Sequence, residues 1–212
     1  MSDLQIIGPQ YGSLGAPKPF TAGGSGAQRV QDAHGRYLQA VMENRAFFLS
    51  VAAGAVTAYT GGAAGTPLLA VHNPTGSGKV LVPLLVGFAP RAAASAAGQA
   101  NLELWSGPSA APTGTKTGPT NALSLSAAGS AALGFVNTAL TGSTALALAM
   151  PLSTYYWATA AGAFMSQAMF DVAGFGVAAP GNQFTVGLTA ALTSLTADAA
   201  IFWEEIPYQP LG

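Results

Sequence analysis

The chain has 212 residues, half of them hydrophobic, yet only 7% are charged, the net charge is −1 and cysteine is absent. That composition excludes disulfides and zinc–thiolate sites, and the apolar runs break on Gly, Pro, Ser, Thr or Asn well short of the ~18 residues a membrane-spanning helix needs. Soluble domains usually carry about 25% charge, so a subunit with no charged side chain between Lys116 and Asp171 has little electrostatic protection against self-association.

The first inference is therefore assembly: a homo-oligomer in closed cyclic symmetry, with about three subunits. The seven Lys and Arg are scattered from Lys18 to Lys116 and form no basic run that would neutralise several phosphates. Neither nucleic acid nor membrane is expected as a partner. The opening residues lack the basic and long apolar regions of a signal peptide, so a Sec-type export route is not expected.

Residues 1–28 are dense in Gly, Pro and Ser, which opposes regular structure and predicts an extended N-terminal arm. Leu4, Ile6, Ile7, Tyr11 and Phe20 are its apolar points. A segment of this kind cannot form its own core, so these side chains are candidate assembly contacts on a neighbouring subunit. The stretch Asp32-Ala33-His34-Gly35-Arg36-Tyr37 follows, read as a polar junction in which Asp32, His34 and Arg36 pair or touch a neighbour. A Ser-His-Asp relay would require a nucleophile on a sharp Gly-x-Ser-x-Gly turn, and Gly76-Ser77-Gly78 is only half of one.

The domain expected over residues 29–212 reads as short strands separated by turn residues. They are Tyr37–Val41, Arg45–Val51, Val56–Thr60, Pro67–His72, Lys79–Phe88, Leu102–Trp105, Leu133–Leu140, Ala145–Trp157, Ala163–Asp171, Phe184–Ala190 and Ala199–Ile206. In the clearest, Phe184, Val186, Leu188 and Ala190 alternate with Gln183, Thr185, Gly187 and Thr189, a period of two that predicts one buried and one wet face. Lys79–Phe88 is nearly all apolar and predicts burial on both faces, with Pro83 marking an edge or a bulge. The Ala-rich stretches 91–100, 127–132 and 158–163 are too short and too interrupted for stable helices and are read as loops. Strands at this spacing, joined by Gly and Pro turns, predict an all-β sandwich, specifically a jelly roll.

Motifs for chemistry are few. Asn73-Pro74-Thr75-Gly76-Ser77-Gly78-Lys79-Val80 imitates a phosphate loop, but Asn73 stands where that loop needs its first glycine and Val80 where it needs a hydroxyl. A hairpin turn fits better, with Pro fixing φ, Asn capping its own backbone and Gly accepting positive φ. Two histidines, His34 and His72, make no His-rich metal site. Glu204 and Glu205 are adjacent, and on a strand they would face opposite sides, so they cannot act together on one bond. Glu103, Asp171 and Asp198 are the remaining carboxylates considered. Trp105, Trp157, Trp203 and Tyr155-Tyr156 are assigned to core or interface in preference to a sugar-stacking platform. The expectation is a non-enzymatic protein with no catalytic, metal or cofactor residue.

The order Asp32 to Tyr37, then Asn44-Arg45-Ala46-Phe47-Phe48, then His72 to Lys79 leading into an apolar strand, and a closing Phe202-Trp203-Glu204-Glu205-Ile206-Pro207, resembles small virion structural proteins of tailed bacteriophages. The resemblance covers residues 29–207 and rests on turn and strand signatures. It implies a β-rich, often trimeric protein located in the virion and assembled in the host cytoplasm, which serves as capsid cement or decoration, head fibre or tail component. Its implied partners are further copies of itself and the major capsid protein or another virion protein. The alternatives are a tail, neck or baseplate component and a carbohydrate-binding or depolymerising appendage.

Overall fold

The computed structural model describes residues 37–208 except 60, 62–64, 92–97, 128, 141–144, 147, 158–166, 173 and 191–194. The chain divides into Met1–Gln39 and Ala40–Gly212, and the second unit is described below. The arm boundary expected near residue 28 lies outside the described residues, as do Leu4, Ile6, Ile7, Tyr11, Phe20, Asp32, His34 and Arg36.

The first described element is a helical turn, α1 (Leu38–Met42), where a strand was expected. Its C-terminus explains the difference. Asn44 takes up a left-handed φ of 56°, its amide donates to the Val41 carbonyl at 3.0 Å and the Arg45 amide to Ala40 at 2.9 Å. This pair of bonds closes a helix and redirects the chain, so one turn of helix ends in a sharp exit into the first strand.

Eleven strands follow among the described residues: β1 (Ala46–Ala55), β2 (Leu69–His72), β3 (Lys79–Pro90), β4 (Gly98–Pro108), β5 (Lys116–Thr117), β6 (Thr120–Asn121), β7 (Leu133–Val136), β8 (Leu148–Trp157), β9 (Ala168–Asp171), β10 (Asn182–Leu188) and β11 (Thr196–Pro207). They form two antiparallel sheets, a five-stranded one ordered β6-β1-β11-β3-β9 and a six-stranded one ordered β5-β7-β2-β10-β4-β8. The all-β class is as expected. The β5 and β6 strands were not anticipated, and Val56–Thr60 supplies an isolated bridge, Ala58 to Leu188, instead of a strand.

The pairing is nested. β1 pairs β11, β2 pairs β10, β3 pairs β9 and β4 pairs β8, as in one long antiparallel ribbon whose turning end carries β5 to β7. Two further pairings, β3 with β11 and β4 with β10, join successive turns of that ribbon. Because β2 and β3 belong to different sheets, the Gly-rich link between them is an arch and not the hairpin expected. Asn73 holds it. Its side-chain nitrogen donates to the carbonyls of Lys79 and Ala178, both at 2.8 Å, so it secures two connections instead of capping its own backbone.

One core lies between the sheets. Phe47, Leu49, Ile201, Trp203, Leu81 and Val86 come from one side and Leu69, Val71, Leu102, Leu104, Phe184 and Val186 from the other. Trp203 stacks on its cross-strand neighbour Phe47 with centroids 6.3 Å apart and meets Phe184 of the opposite sheet edge-on at 6.2 Å. At another point Phe88 of β3 meets Tyr155 of β8 at 4.9 Å. Such offset and tilted contacts suit the ring quadrupoles.

Two expectations about burial are corrected. Strand β3 alternates between buried and half-buried positions, so one face is in the core and the other is not. Pro83 sits at a register shift, where Phe202 pairs Leu85 and Trp203 pairs Pro83, which leaves Leu84 as the extra residue of a bulge. Strand β10 is buried on both faces, Gln183 and Thr185 included. The segment after β1 crosses its outer side, with the Tyr59 amide donating to Leu188 at 2.8 Å. A Cβ on Gly187 would stand 3.0 Å from the Tyr59 side chain, so only glycine lets that segment lie so close.

Candidate interaction surface

Among the described residues, chemistry-bearing side chains are dispersed by the fold. Glu204 points outward and pairs with Arg45, while Glu205 is buried and accepts from Ser130 Oγ at 2.6 Å, the Ala131 amide at 3.0 Å and Trp203 Nε1 at 3.5 Å. The two neighbours therefore face opposite sides, as strand geometry predicted. Asp198 pairs with Arg91 at 2.9 Å. It and Asp171 lie on β11 and β9 of the five-stranded sheet, whereas Glu103 lies on β4 of the other. Burial pushes the Glu103 carboxyl above its usual range, with a hydrogen bond from Asn101 opposing the shift. No group of three or more His, Asp or Glu able to hold a metal ion occurs among the described residues.

Trp203 and Trp105 lie in opposite sheets and have different surroundings. Trp203 is in the core, and Trp105 lies on β4 against Gly61, where a Cβ would come within 2.3 Å of its ring. Tyr155 is buried, while its neighbour Tyr156 is 72% exposed.

On the outer side of the six-stranded sheet His72 and Gln183 stand opposite each other in register, both fully buried. His72 Nδ1 and both amide atoms of Gln183 have no hydrogen-bond partner among the described residues. Burial lowers the His72 pKa below its ordinary 6.5. Below about pH 6.5 the unfolded chain therefore takes up a proton that the folded chain refuses, and stability falls as pH drops from 6.5 towards the lowered folded value. The expected loss is at most about 1.4 kcal/mol per pH unit. Urea midpoints measured between pH 7.5 and 5.5 should drop for the wild type and drop less steeply for His72→Leu; equal slopes would refute the assignment.

Two features of the surface are apolar and formed. The first is an open groove of about 650 Å³ on the outer face of the five-stranded sheet. Its floor is the cross-strand row Ser50, Ala200 and Gly87, its side is Met169, 73% exposed on the edge strand β9, and Asp198 at its rim is neutralised by Arg91.

The second is the turn after β6, at the other edge of the same sheet. Asn121 organises it. Its side-chain oxygen accepts from the amides of Leu123 at 2.9 Å and Ser124 at 3.0 Å, and its backbone carbonyl accepts from Leu125 at 2.9 Å. Leu123 and Leu125 consequently project from a hydrogen-bonded base, and Leu125 is 73% exposed. Neither feature is legible in the sequence: the apolar-polar alternation Leu-Ser-Leu-Ser masks the turn that Asn121 starts, and the groove floor comes from three distant strands. The chain matches no family model, no curated protein and no solved structure.

Proposed function

We propose that this chain is a structural protein of a tailed-bacteriophage virion, a capsid decoration or cement protein that binds the shell as a homo-oligomer and stabilises it. The observation that carries the reading is the apolar surface left over once the core has closed. Met42, Leu125, Leu148, Tyr156 and Met169 remain exposed on a chain with only 7% charge. Lattice sites favour buried area and closed symmetry over a solvated exterior.

We also propose that the two sheets form a jelly roll. The nested pairing supports this, since β1-β11-β3-β9 and β2-β10-β4-β8 are the two four-stranded groups produced by rolling one long ribbon, with β5 to β7 added at its tip. Jelly rolls build many capsid domains, and lectins and other proteins too, so the fold is compatible with the reading without selecting it.

In this reading residues 1–28 supply attachment. Their apolar points would each gain roughly 1.5–3 kcal/mol on full burial, an amount that ordering the arm largely offsets. Attachment then depends on several arms acting together within one oligomer. The test is binding of purified protein to capsids that lack it, followed by locating it on the particle by reconstruction. The full chain is expected to decorate the head, and a variant lacking residues 1–28 to keep its circular dichroism and oligomeric state but bind at least tenfold more weakly. Absence of full-length protein from the head would refute the cement role, and undiminished binding by the truncated form would remove the arm as anchor.

A further inference from the structure

We infer that the outer side of the six-stranded sheet holds an internal water site, walled by His72, Gln183, Thr185 and Trp105 and roofed by Tyr59 and Gly61. The inference is independent of the reading above.

The register places these side chains together. On β10 the outward residues include Gln183 and Thr185, because Phe184 and Val186 belong to the core between the sheets and successive side chains alternate. Gln183 pairs His72 of β2 on one side and Gly107 of β4 on the other, while Thr185 pairs Ala70 and Trp105. Side chains opposite each other on neighbouring strands stand about 4.5–5.5 Å apart at Cβ, so these positions form one block on one face. Tyr59 lies over Gly187, the next outward position of β10, and Gly61 lies against the Trp105 ring. The Tyr59 amide donates to Leu188 at 2.8 Å and the Gly61 carbonyl accepts from Leu146 at 2.7 Å, which ties the roof to the chain around it.

The block concentrates unpaired polar atoms. His72, Gln183 and Thr185 are fully buried, yet His72 Nδ1, both amide atoms of Gln183, Thr185 Oγ1, Trp105 Nε1 and the Tyr59 hydroxyl have no hydrogen-bond partner among the described residues. The Tyr59 and Thr185 hydroxyls face each other without reaching hydrogen-bond geometry. Folded proteins leave few buried polar atoms unpaired. Several on adjoining positions of one sheet face share one unmet need.

That need defines the ligand. Trp105 Nε1 can only donate, Gln183 Oε1 can only accept and the hydroxyls do both, so the ligand must donate and accept. Burial lowers the His72 pKa and the other members of the block carry no charge, so nothing there balances a metal ion or an anion. The unpaired atoms are sealed from bulk solvent, which selects the smallest molecule with both capacities. Buried water makes about three hydrogen bonds, so about two molecules satisfy the block. Gly107 puts no side chain beside Gln183 and is itself half-buried, so it supplies both space and a way in.

Oxygen-17 magnetic relaxation dispersion of the solvent, which counts long-lived internal waters, tests the site on the full chain. Gln183→Met removes both amide atoms at nearly constant volume, and Thr185→Val removes the hydroxyl at constant shape. Each variant is expected to keep the wild-type circular dichroism and to lose the dispersion of at least one water, while Thr75→Ala on the β2–β3 arch loses none. Stability gives a second readout. With water in place, Gln183→Met strands the groups that the water bridged, and the urea midpoint falls; in a dry block the same change removes unpaired atoms, and the midpoint rises. Unchanged dispersion in both variants, or a raised midpoint for Gln183→Met, overturns the proposal. Should Gln183→Met fail to fold, Thr185→Val decides alone: a lost dispersion supports the site and a retained one refutes it.

Discussion

Trp203→Ala is expected to lower the free energy of unfolding by about 3–5 kcal/mol, the range for emptying an aromatic site in a packed core. The indole is fully buried, joins Phe47 of its own sheet to Phe184 of the other and donates towards Glu205 at 3.5 Å. Truncation thus opens a cavity between the sheets and removes a donor from a buried carboxylate. Domains hold roughly 5–15 kcal/mol in all, so the variant should be partly unfolded at ordinary growth temperatures. Urea unfolding at fixed protein concentration measures the effect. Thr75→Ala, at the exposed tip of the β2–β3 arch, is the control and should shift stability by less than about 0.5 kcal/mol. A Trp203→Ala loss below about 1 kcal/mol would mean that the core relaxes around the gap and the sheets are not braced there.

Periodicity revealed the strands that obey it and concealed whatever depends on distant chain. Phe184, Val186 and Leu188 announced β10 because a half-buried strand repeats every two residues, and Pro83 announced a bulge because it lacks a donor. The same alternation misassigned Gln183 and Thr185 to solvent, because the outer side of β10 is buried too, with Tyr59 of the segment after β1 lying against Gly187. Strands β5 and β6 have two residues each, on either side of Gly118-Pro119, and two residues carry no period. Tyr37 and Val41 suggested a strand by composition, whereas Asn44, a residue suited to ending a helix, was the signal that went unused. The groove was hidden for a related reason. Ser50, Gly87 and Ala200 are unremarkable singly and make a floor only through the register of three strands.

Glu205 is the second residue whose replacement should be severe. It lies on the strand that carries Trp203, is 2% exposed, and serves as acceptor for the Ser130 hydroxyl, the Ala131 amide and the Trp203 indole. These bonds fasten the segment before β7 onto β11, and Ala132 next to them is part of the core. Gly134, two residues further on, explains why the position of that segment matters: a Cβ there would fall 2.5 Å from the Thr117 carbonyl and 3.0 Å from Leu49. Glu205→Leu keeps the volume but strands the donors, each at about 1–3 kcal/mol when left buried and unpaired. A total loss of about 2–4 kcal/mol is expected, with β7 loosened first and amide exchange at Ala131 accelerated. Glu205→Gln retains an acceptor oxygen and should lose only about 1 kcal/mol, the difference between a charged and a neutral hydrogen bond. That graded pair separates an acceptor role from simple packing: equal losses in the two variants would indicate that the charge itself holds the loop, and no loss in Glu205→Leu would show that the donors find water once the carboxylate is gone.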